Sequence, residues 1–523
     1  MFSIENGFHQ GRTVEPFSSL RSRQTRANRL GSPVLTCHGW WEGHANRIAV
    51  IGPTISSFAR GLRKLPSSPF LEMISSQSMT LAKPRYDFDF AVAGGGPAGS
   101  SAAISLGQRG HSVVLLERDT FPRFHIGESL LSTANDAFAT LGVAKRIEAA
   151  CFPEKWGARL FTHDGQRGRY VDFTDVREVN RPQTYQVCRQ EFDRILMDRA
   201  RAVDVHVREA CNVTGCEFTP DAAILDVASR VDGATSRLHV RALVDATGRG
   251  GLLARKFNLR TEEPRLANIA IFSHYTNVPR LGGPRPDDIR LIARSDAGWF
   301  WLIPISKELI SVGVVLPKGL YRRLAKGSPE ETLSSAISDT PIVADLMREA
   351  RREWPVRVEK DFSYSASAYA GDRWILAGDA GSFLDPVFST GVSIAMESGI
   401  EAAAELHRAL ERNDFSEASF ARFSRRQRKR FQTFRRFVVG FYTPQFRDVF
   451  FSPQPPSLIF RSVVTMLAGK WNASLWTRFL NQLFFGMVSI QRRFHITRPV
   501  FRRDRDAGYP TKTRSKDPVA HRA

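Results

Sequence analysis

The sequence predicts an α/β protein in which a nucleotide-binding domain is interleaved with a second, mixed or antiparallel β-sheet and followed by helices. Three observations support this fold class. A strand, glycine turn, helix and second strand span 86–118, and the later segments 242–251 and 373–386 each join a strand to small residues and an acid. Between them, runs such as SVGVVL and WFWLIPI indicate further strands. With 523 residues, of which 42% are hydrophobic, the chain can bury one large core.

The unit at 86–118 carries the fingerprint of a dinucleotide-binding site. Gly94 allows the tight turn, Gly96 lets a pyrophosphate approach the backbone, and Gly99 lets the helix pack closely on the strand. The helix N-terminus offers amides and a positive dipole to the phosphates, and Glu117 closes the second strand, placed for a ribose hydroxyl. The residues predicted to contact the cofactor here are Gly94, Gly96, Pro97, Ala98, Gly99, Glu117 and Arg118.

Composition sets the N-terminal 84 residues apart from the rest of the chain. Residues 1–84 contain scattered Arg and Ser, few acids and no sustained hydrophobic period, so we predict a basic, disordered extension. The extension lacks the apolar stretch of a secretory signal, while its composition is compatible with a transit peptide. Met79 offers a second interpretation, in which translation starts there and the prefix is not part of the working protein.

Both predicted sheets fall within 85–410, with the second sheet expected mainly from 152–185 and 260–369. Residues 411–523 are rich in Arg and Phe, as in RRQRKRFQTFRRF, and predict basic amphipathic helices followed by a basic, disordered tail. No apolar run there reaches the ~20 residues needed to cross a bilayer. These helices would cover the core, with peripheral membrane contact as the alternative.

The two later segments indicate which nucleotide binds. ALVDATGRGG (242–251) and RWILAGDAGSFLDP (373–386), taken with the glycine fingerprint, resemble the FAD-dependent monooxygenases with a glutathione-reductase-like nucleotide domain. That resemblance implies FAD, with Asp379 on the ribityl chain, although an Asp before an apolar helical run is also a common helix cap. The cofactor residues that this resemblance implies are Arg189, Asp245, Gly378 and Asp379.

Four local matches narrow the resemblance to flavin-dependent halogenases. FPRFHIGESLL (121–131) resembles the segment that runs along the flavin ring, WFWLIP (299–304) fits a WxWxIP signature, and FLDPVFSTG (383–391) fits FxxPxxSxG. Lys155, after a predicted helix and at the start of a predicted strand, matches the position of the active-site lysine. The first match implies cofactor contacts for Ile126, Gly127, Glu128 and Ser129.

The halogenase resemblance also implies roles for individual residues. A halide would bind the backbone amides of Thr390 and Gly391, because a helix N-terminus attracts an anion. Trp299 and Trp301 would keep the substrate away from the flavin. The residues implied to be catalytic are Lys155, Ser389, Trp299 and Trp301, and those implied to contact the cofactor beside the halide are Pro386, Gly391 and Val392.

The implied reaction starts from reduced FAD and oxygen, proceeds through a flavin hydroperoxide and hypochlorous or hypobromous acid, and ends with Lys155 directing the halogen. No second glycine fingerprint follows residue 118, which implies that a separate flavin reductase supplies FADH2, with a transient nicotinamide visit as the alternative. Phe388 stands where tryptophan halogenases have a glutamate, so a phenol or a pyrrole is the expected substrate. An aromatic hydroxylase or a geranylgeranyl-reductase-like enzyme is the alternative within the same fold.

Charge and cysteine content bound the partners. The net charge is +21, with much of the excess in the prefix and the last hundred residues, and an acidic carrier protein holding the substrate would suit a basic face. The sequence contains no recognised nucleic-acid module, and a basic lipid- or nucleic-acid-associated protein that retains a flavin fold is the alternative from another class. The five cysteines show no metal-ligand spacing and predict no metal, and without a secretory signal a reduced cytoplasmic setting is expected.

Overall fold

The computed structural model describes residues 86–325 and 327–501, so the predicted extension at 1–84 and the tail beyond 501 lie outside the described residues. The strands of the described part are, in chain order, β1 (Phe88–Ala93), β2 (Val113–Leu116), β3 (Glu154–Lys155), β4 (Gly157–Thr162), β5 (Gly168–Asp172), β6 (Thr184–Tyr185), β7 (His206–Arg208), β8 (Cys211–Phe218), β9 (Ala223–Ser229), β10 (Thr235–Asp245), β11 (Arg260–Thr276), β12 (Ile289–Ala293), β13 (Trp299–Pro304), β14 (Ile310–Pro317), β15 (Arg351–Arg352), β16 (Arg357–Ala366), β17 (Ala370–Gly371), β18 (Trp374–Leu376) and β19 (Ser382–Phe383). The helices are α1 (Pro97–Gly107), α2 (Ala134–Leu141), α3 (Ala144–Ala149), α4 (Arg189–Arg201), α5 (Leu252–Lys256), α6 (Lys318–Leu324), α7 (Pro329–Ser338), α8 (Pro341–Leu346), α9 (Gly391–Arg412), α10 (Ala421–Phe441), α11 (Pro444–Phe450), α12 (Ser457–Leu467) and α13 (Leu475–Phe494).

The first sheet has eight strands and a parallel centre. Its main order is β17-β18-β10-β1-β2-β7. In addition, β9 pairs with the first half of β10, and β8 pairs with β9. Strand β1 runs parallel to both β2 and β10, and β18 and β7 continue this parallel arrangement on either side. Helices α1, α2, α4 and α9 contribute to the apolar cluster packed against it. A parallel sheet covered by helices needs apolar strands, which explains the continuous apolar runs of β1 and β2.

The second sheet has nine strands in the order β19-β16-β11-β14-β13-β12-β4-β5, with β15 paired to β11. Its pairs are antiparallel except for β4 with β12. Helices α10 to α13 contribute to an apolar cluster on one face, and α6 to α8 to a cluster on the other. Because both faces are covered, all six residues of β13 are buried, and the strand shows no alternation of buried and exposed positions.

Lys155 lies outside both large sheets. It belongs to β3, whose only pairing in the described part of the chain is with β6, where Lys155 stands opposite Thr184. Strand β4 of the second sheet begins two residues later at Gly157. The lysine therefore sits on a short two-stranded connection between the two sheets.

Helix α9 joins the second sheet to the nucleotide-binding end of the first. It begins at Gly391, after β19, and packs along α1. The contact is close at Gly399, where an added Cβ would lie 2.2 Å from the carbonyl oxygen of Ala98. This packing brings the chain around 379–392 next to the glycine turn at 94–99. Among the described residues no helix is both long and apolar enough for a membrane span.

Candidate functional site

The glycine turn after β1 has the geometry that a pyrophosphate site needs. Gly94 has a φ of +103°, and an added Cβ would lie 2.3 Å from the carbonyl oxygen of Ala246. A Cβ on Gly99 would lie 1.8 Å from the carbonyl oxygen of Gly94, so only glycine allows α1 this close to the turn. A Cβ on Gly96 would meet only the Arg123 guanidinium at 3.7 Å, so the backbone there stays open to a ligand.

Glu117 lies beside this turn, and Arg118 does not. The carboxylate of Glu117 is buried and accepts hydrogen bonds from the Gly95 amide at 2.6 Å and the Asp119 amide at 2.9 Å. The side chain of Arg118 is 67% exposed and pairs with Asp119. The exposed side chain of Arg118 thus differs from the buried carboxylate of Glu117, and the contact of Arg118 with the cofactor stays a prediction.

The carboxylate of Asp245 is hydrogen-bonded to neighbouring residues of the chain. The residue is buried at the end of β10, where its carboxylate accepts hydrogen bonds from the Thr247 amide, the Thr247 hydroxyl and the Leu253 amide. Burial raises the pKa of Asp245, against these hydrogen bonds. This carboxylate therefore shapes the loop at 246–253 that borders Gly94, and its predicted contact with the cofactor stays a prediction.

Asp379 has the free carboxylate that a ribityl chain would need. Among residues 86–325 and 327–501 no group hydrogen-bonds to this carboxylate, and burial raises its pKa to about 6 against the opposing charges of Arg249 and Arg189. Gly378 has a φ of +60°, and an added Cβ would lie 2.8 Å from the Cβ of Ala98. A part-exposed carboxylate without a hydrogen-bond partner among the described residues, next to the N-terminal turn of α1, fits the polar chain of a bound FAD.

The segment 126–129 is held by Arg189. The guanidinium donates hydrogen bonds to the carbonyl oxygens of Ile126 at 2.8 Å and Gly127 at 3.3 Å. It also forms a two-pronged ion pair with Asp193 at 2.8 and 2.9 Å, and both side chains are buried. The sequence analysis did not include Asp193, although its i,i+4 spacing from Arg189 on α4 is the signal that could have found it.

Replacing Arg189 with methionine is expected to lower the free energy of unfolding by about 3–5 kcal/mol, because Asp193 would stay buried with only Arg123 at 3.3 Å as a cation. The segment at 126–129 would also loosen and FAD affinity would fall. Urea unfolding and fluorescence titration with FAD measure the two effects. The double variant Arg189→Met, Asp193→Leu should regain most of the stability without regaining the affinity. Equal stability of Arg189→Met and wild type would contradict the assignment.

Glu128, in the same segment, pairs with a residue that the sequence analysis missed. Its Oε1 lies 2.8 Å from Nε2 of His274 on β11, and both side chains are buried. The ring of His274 also packs against Trp354 at 4.9 Å between centroids. The two partners are 146 residues apart, so no local pattern predicts the pair. It connects the predicted flavin segment to the second sheet.

Lys155 is buried with only 1% of its surface exposed. Its Nζ donates hydrogen bonds to the hydroxyl of Ser129 and to the carbonyl oxygen of Leu130, both at 2.8 Å. Burial lowers the pKa of Lys155 to about 7, and the nearby charge of Asp288 opposes this shift only in part. The lysine is therefore divided between amine and ammonium at neutral pH, and it touches the segment that is predicted to contact the flavin.

Two pockets meet at the segment 383–391. Lys155 lines one of them together with Ser389 and a set of apolar side chains: Leu131, Ala158, Leu160, Val171, Phe173, Ile289, Leu291, Val387, Phe388 and Leu467. The other is lined by Asp379, Thr390 and Gly391, and by Arg430 of α10. Ser389 has a φ of +57°, which turns the chain between the two. The structure thus brings Lys155 and Ser389 together on one side, and Asp379, Thr390 and Gly391 together on the other.

Pro386 and Val392 lie on either side of this turn. Pro386 begins the short 3-10 turn at 386–388, and its carbonyl oxygen accepts a hydrogen bond from the Ser389 amide at 2.8 Å. Val392, in the first turn of α9, faces Gly127, whose added Cβ would lie 3.7 Å from it. The start of α9 and the predicted flavin segment are therefore in contact.

Trp299 and Trp301 line neither of these two pockets. Their rings stand 5.8 Å apart between centroids and pack in the same apolar cluster as the lining of the lysine pocket. Trp301 is paired across strands with Leu291, which does line that pocket. The two rings therefore pack behind the residues that line this pocket, and their role in keeping the substrate away from the flavin stays a prediction.

A hydrogen-bonded chain connects the tryptophan strand to the segment 383–391. The indole nitrogen of Trp299 donates to the hydroxyl of Tyr442 at 2.7 Å, and that hydroxyl lies 2.7 Å from Oδ2 of Asp385, to which it donates. Asp385 is completely buried, also accepts from Asn268 at 2.8 Å, and caps the Val387 amide. Asp385 and Tyr442 were not among the residues predicted from the sequence. Asp385 lies inside FLDPVFSTG, whereas nothing in the sequence points to Tyr442.

Comparisons with known proteins show which proteins this chain is similar to. The model of a family described as FAD binding domain matches residues 87–434. Flavin-dependent halogenase armH3 of Armillaria mellea is 34% identical over 68% of this chain and 74% of its own length. A 1H-pyrrole-2-carbonyl-(peptidyl-carrier protein) chlorinase of Pseudomonas fluorescens is 31% identical over 68% of this chain and 84% of its own length. A tryptophan 2-halogenase of Chondromyces crocatus is 33% identical over 60% of each chain. The solved structure of flavin-dependent brominase Bmp2 superposes with a TM-score of 0.67 at 28% identity, covering 77% of this chain and all of that one.

Proposed function

Because this chain belongs to the flavin-dependent halogenases within the FAD binding domain family, we propose that it halogenates an electron-rich aromatic ring, a phenol or a pyrrole, through Lys155. The observation that carries the proposal is the buried lysine in an apolar pocket, separated by the segment 383–391 from a second pocket that contains Asp379 and the start of α9. In this proposal the lysine would transfer the halogen, and the second pocket would hold part of the cofactor and the halide.

Bound reduced FAD, together with oxygen and halide, would supply hypohalous acid. The glycine turn at 94–99, Glu117 and Asp379 would hold the cofactor. The halide would bind at the amides of Thr390 and Gly391, at the N-terminus of a 22-residue helix. An added Cβ on Gly391 would have no neighbour within 4 Å, so a small anion can reach the backbone there.

Lys155 is proposed to act as a neutral amine. Its two N–H groups would donate to Ser129 and Leu130, which leaves the lone pair of Nζ for the halogen. That lone pair takes the halogen from hypohalous acid, the halogen–oxygen bond breaks, and the hydroxide leaves as water with a proton from the nitrogen. The aromatic ring then forms its bond to the halogen as the nitrogen–halogen bond breaks. The ring loses a proton to solvent, and the nitrogen regains one.

The pH dependence separates this role from that of a charged donor. Because burial lowers the pKa of Lys155 to about 7, the amine fraction rises with pH through that value. We expect the share of flavin turnover that ends in halogenated product to rise with pH between about 6 and 8. Product yield per oxygen consumed measures it, with Lys155→Arg as a permanently charged control that should be inactive throughout. A product yield that falls over this pH range would show that the ammonium form of Lys155 is the active one.

The lining of the lysine pocket favours a substrate that needs no enzymic base. Apart from Lys155 and Ser389, the side chains that line it are apolar, and they include Phe388, at the position where the halogenase resemblance implies a glutamate for tryptophan halogenases. Phenols and pyrroles activate their own rings, whereas an indole would be harder to halogenate there. Mass spectrometry of products from phenols, pyrroles and indoles, with FAD, a flavin reductase and chloride or bromide, tests the proposal. Hydroxylated products without any halide dependence would contradict it.

A carrier-bound substrate is part of this proposal. The chlorinase of Pseudomonas fluorescens is named for a substrate held on a peptidyl-carrier protein, and the net charge of +21 would steer an acidic carrier towards this enzyme. A separate flavin reductase and a reduced cytoplasmic setting complete it. Turnover of a pyrrole acid should be faster when it is tethered to the carrier than when it is free. Equal turnover of both forms would remove the carrier from the proposal.

A further inference from the structure

Helix α13 presents an apolar stripe to solvent along its whole length. The exposed fractions are 60% for Trp476, 51% for Phe479, 42% for Leu483, 46% for Ile490 and 72% for Phe494. Their spacing of three, four, seven and four residues puts them on one side of a helix. This stripe is separate from the side that faces the core, where other residues of α13 are buried. Large apolar side chains exposed in a continuous row mark a binding surface.

The surroundings of this stripe are basic. Between Asp448 and Asp504 the sequence contains no acid. Asp448 itself is buried and accepts a hydrogen bond from Gln491, and Glu178 accepts from Ser474 and Thr477 at the start of α13. The cations of this stretch within the described residues are Arg461, Lys470, Arg478, Arg492, Arg493 and Arg498.

We propose that the stripe on α13 binds the surface of an anionic lipid bilayer, with the helix lying in the plane of the interface. An exposed apolar face on a helix that also carries the exposed Arg478, Arg492 and Arg493 is the pattern of an interfacial helix. The arginines would meet lipid phosphates while Trp476 and Phe479 enter the acyl boundary. The helix lies on the surface, since none of the described helices can span a membrane.

The positive charge around the stripe on α13 disfavours other partners for this surface. A second copy placed stripe to stripe would bring two stretches of arginines together without acids between them. The segment 1–85 of the same chain, which the structure does not describe, is itself basic and would meet the same repulsion. An acidic carrier protein would pair with the arginines. However, a transient protein contact has a largely polar rim, and it does not require apolar side chains along a helix of 20 residues.

Vesicle co-sedimentation of the full chain tests the proposal, using phosphatidylcholine vesicles with and without phosphatidylglycerol. We expect binding to the anionic vesicles, at least tenfold weaker binding to the neutral ones, and release at 1 M salt. The double variant Phe479→Glu, Leu483→Glu should lose at least tenfold in affinity. Val231→Glu is the matched control, because Val231 is 84% exposed near the turn between β9 and β10, and it should bind like wild type. Circular dichroism and FAD content establish that each variant is folded.

Several outcomes would overturn the proposal. They are an absence of binding to anionic vesicles, equal binding by the double variant and the wild type, and equal binding to neutral and anionic vesicles. A dimer in light scattering that the double variant abolishes would assign the stripe to a second copy. Capture of an acidic carrier protein, lost in the double variant and without vesicle binding, would assign it to the carrier.

Discussion

Replacing Lys155 with methionine is expected to lower the rate of halogenated product by roughly a thousandfold or more, while oxygen consumption by the reduced enzyme continues. Methionine keeps an unbranched apolar stem in the pocket and removes only the nitrogen that Ser129 and Leu130 hold. The hypohalous acid would then leave the enzyme without reaching the ring in the required orientation. Chromatography with mass detection of the product, alongside an oxygen electrode, measures the two rates.

The matched control for this prediction is Lys145→Met, because Lys145 lies exposed on α3 and away from both pockets. It should halogenate at the wild-type rate. If Lys155→Met also forms product at that rate, Lys155 does not transfer the halogen. If oxygen consumption stops in Lys155→Met, the lysine acts at an earlier step, on the flavin side of the segment 383–391.

The pH dependence of stability provides a second test of the protonation state of Lys155. Burial lowers the pKa of Lys155 from 10.5 to about 7, so between these values the unfolded chain binds a proton at this lysine and the folded chain does not. The free energy of unfolding of the wild type should therefore gain a contribution that rises with pH over this range, and Lys155→Met should lack it. Urea unfolding of both proteins at pH 7 and pH 9 measures the difference. Parallel changes in the two proteins would mean that the lysine stays charged in the fold.

Gly99→Ala is the second substitution with a large expected effect. Its Cβ would lie 1.8 Å from the carbonyl oxygen of Gly94, which is backbone and cannot move aside. Helix α1 must shift away from β1, at a cost of about 1–3 kcal/mol or more. We expect a lower melting temperature and purification without FAD. Thermal unfolding and the flavin absorbance of the purified protein measure both effects.

Gly96→Ala separates folding from cofactor binding. Its Cβ would meet only the Arg123 guanidinium at 3.7 Å, so the protein should melt like the wild type. The methyl group would occupy the space of the pyrophosphate and weaken FAD binding roughly tenfold or more, which is at least about 1.4 kcal/mol. Normal FAD affinity in Gly96→Ala would show that the pyrophosphate does not approach this glycine. For Gly99→Ala, in contrast, normal FAD content and a wild-type melting temperature would show that a Cβ at position 99 does not displace α1 from β1.

The FAD-binding fold and the halogenase family were predictable from short stretches of sequence. Each decisive feature there is local: the glycine turn at 94–99, the acid at 379 and the motif 383–391 depend on residues within a few positions of one another. The structure and the comparisons confirm both the fold class and the halogenase resemblance. The individual cofactor and halide contacts stay predictions.

Contacts between distant parts of the chain were not predictable. Glu128 meets His274 across 146 residues, and Asp385 meets Tyr442 across 57, because two sheets and a helix layer pack together. The exposure of the Arg118 side chain was also not predictable from its position next to Glu117. Asp193 is the exception, since its i,i+4 spacing from Arg189 could have been recognised.

The hydrogen bond from Tyr442 to Asp385 limits how freely this enzyme can be recombined with its relatives. The family match ends at residue 434, and Tyr442 lies beyond it, yet its hydroxyl fixes the carboxylate at the centre of the segment between the two pockets. The conformation of this segment therefore depends on a residue outside the matched FAD domain. A chimera that exchanges the C-terminal helices would have to carry a tyrosine at this position to keep the turn at 386–389 in place.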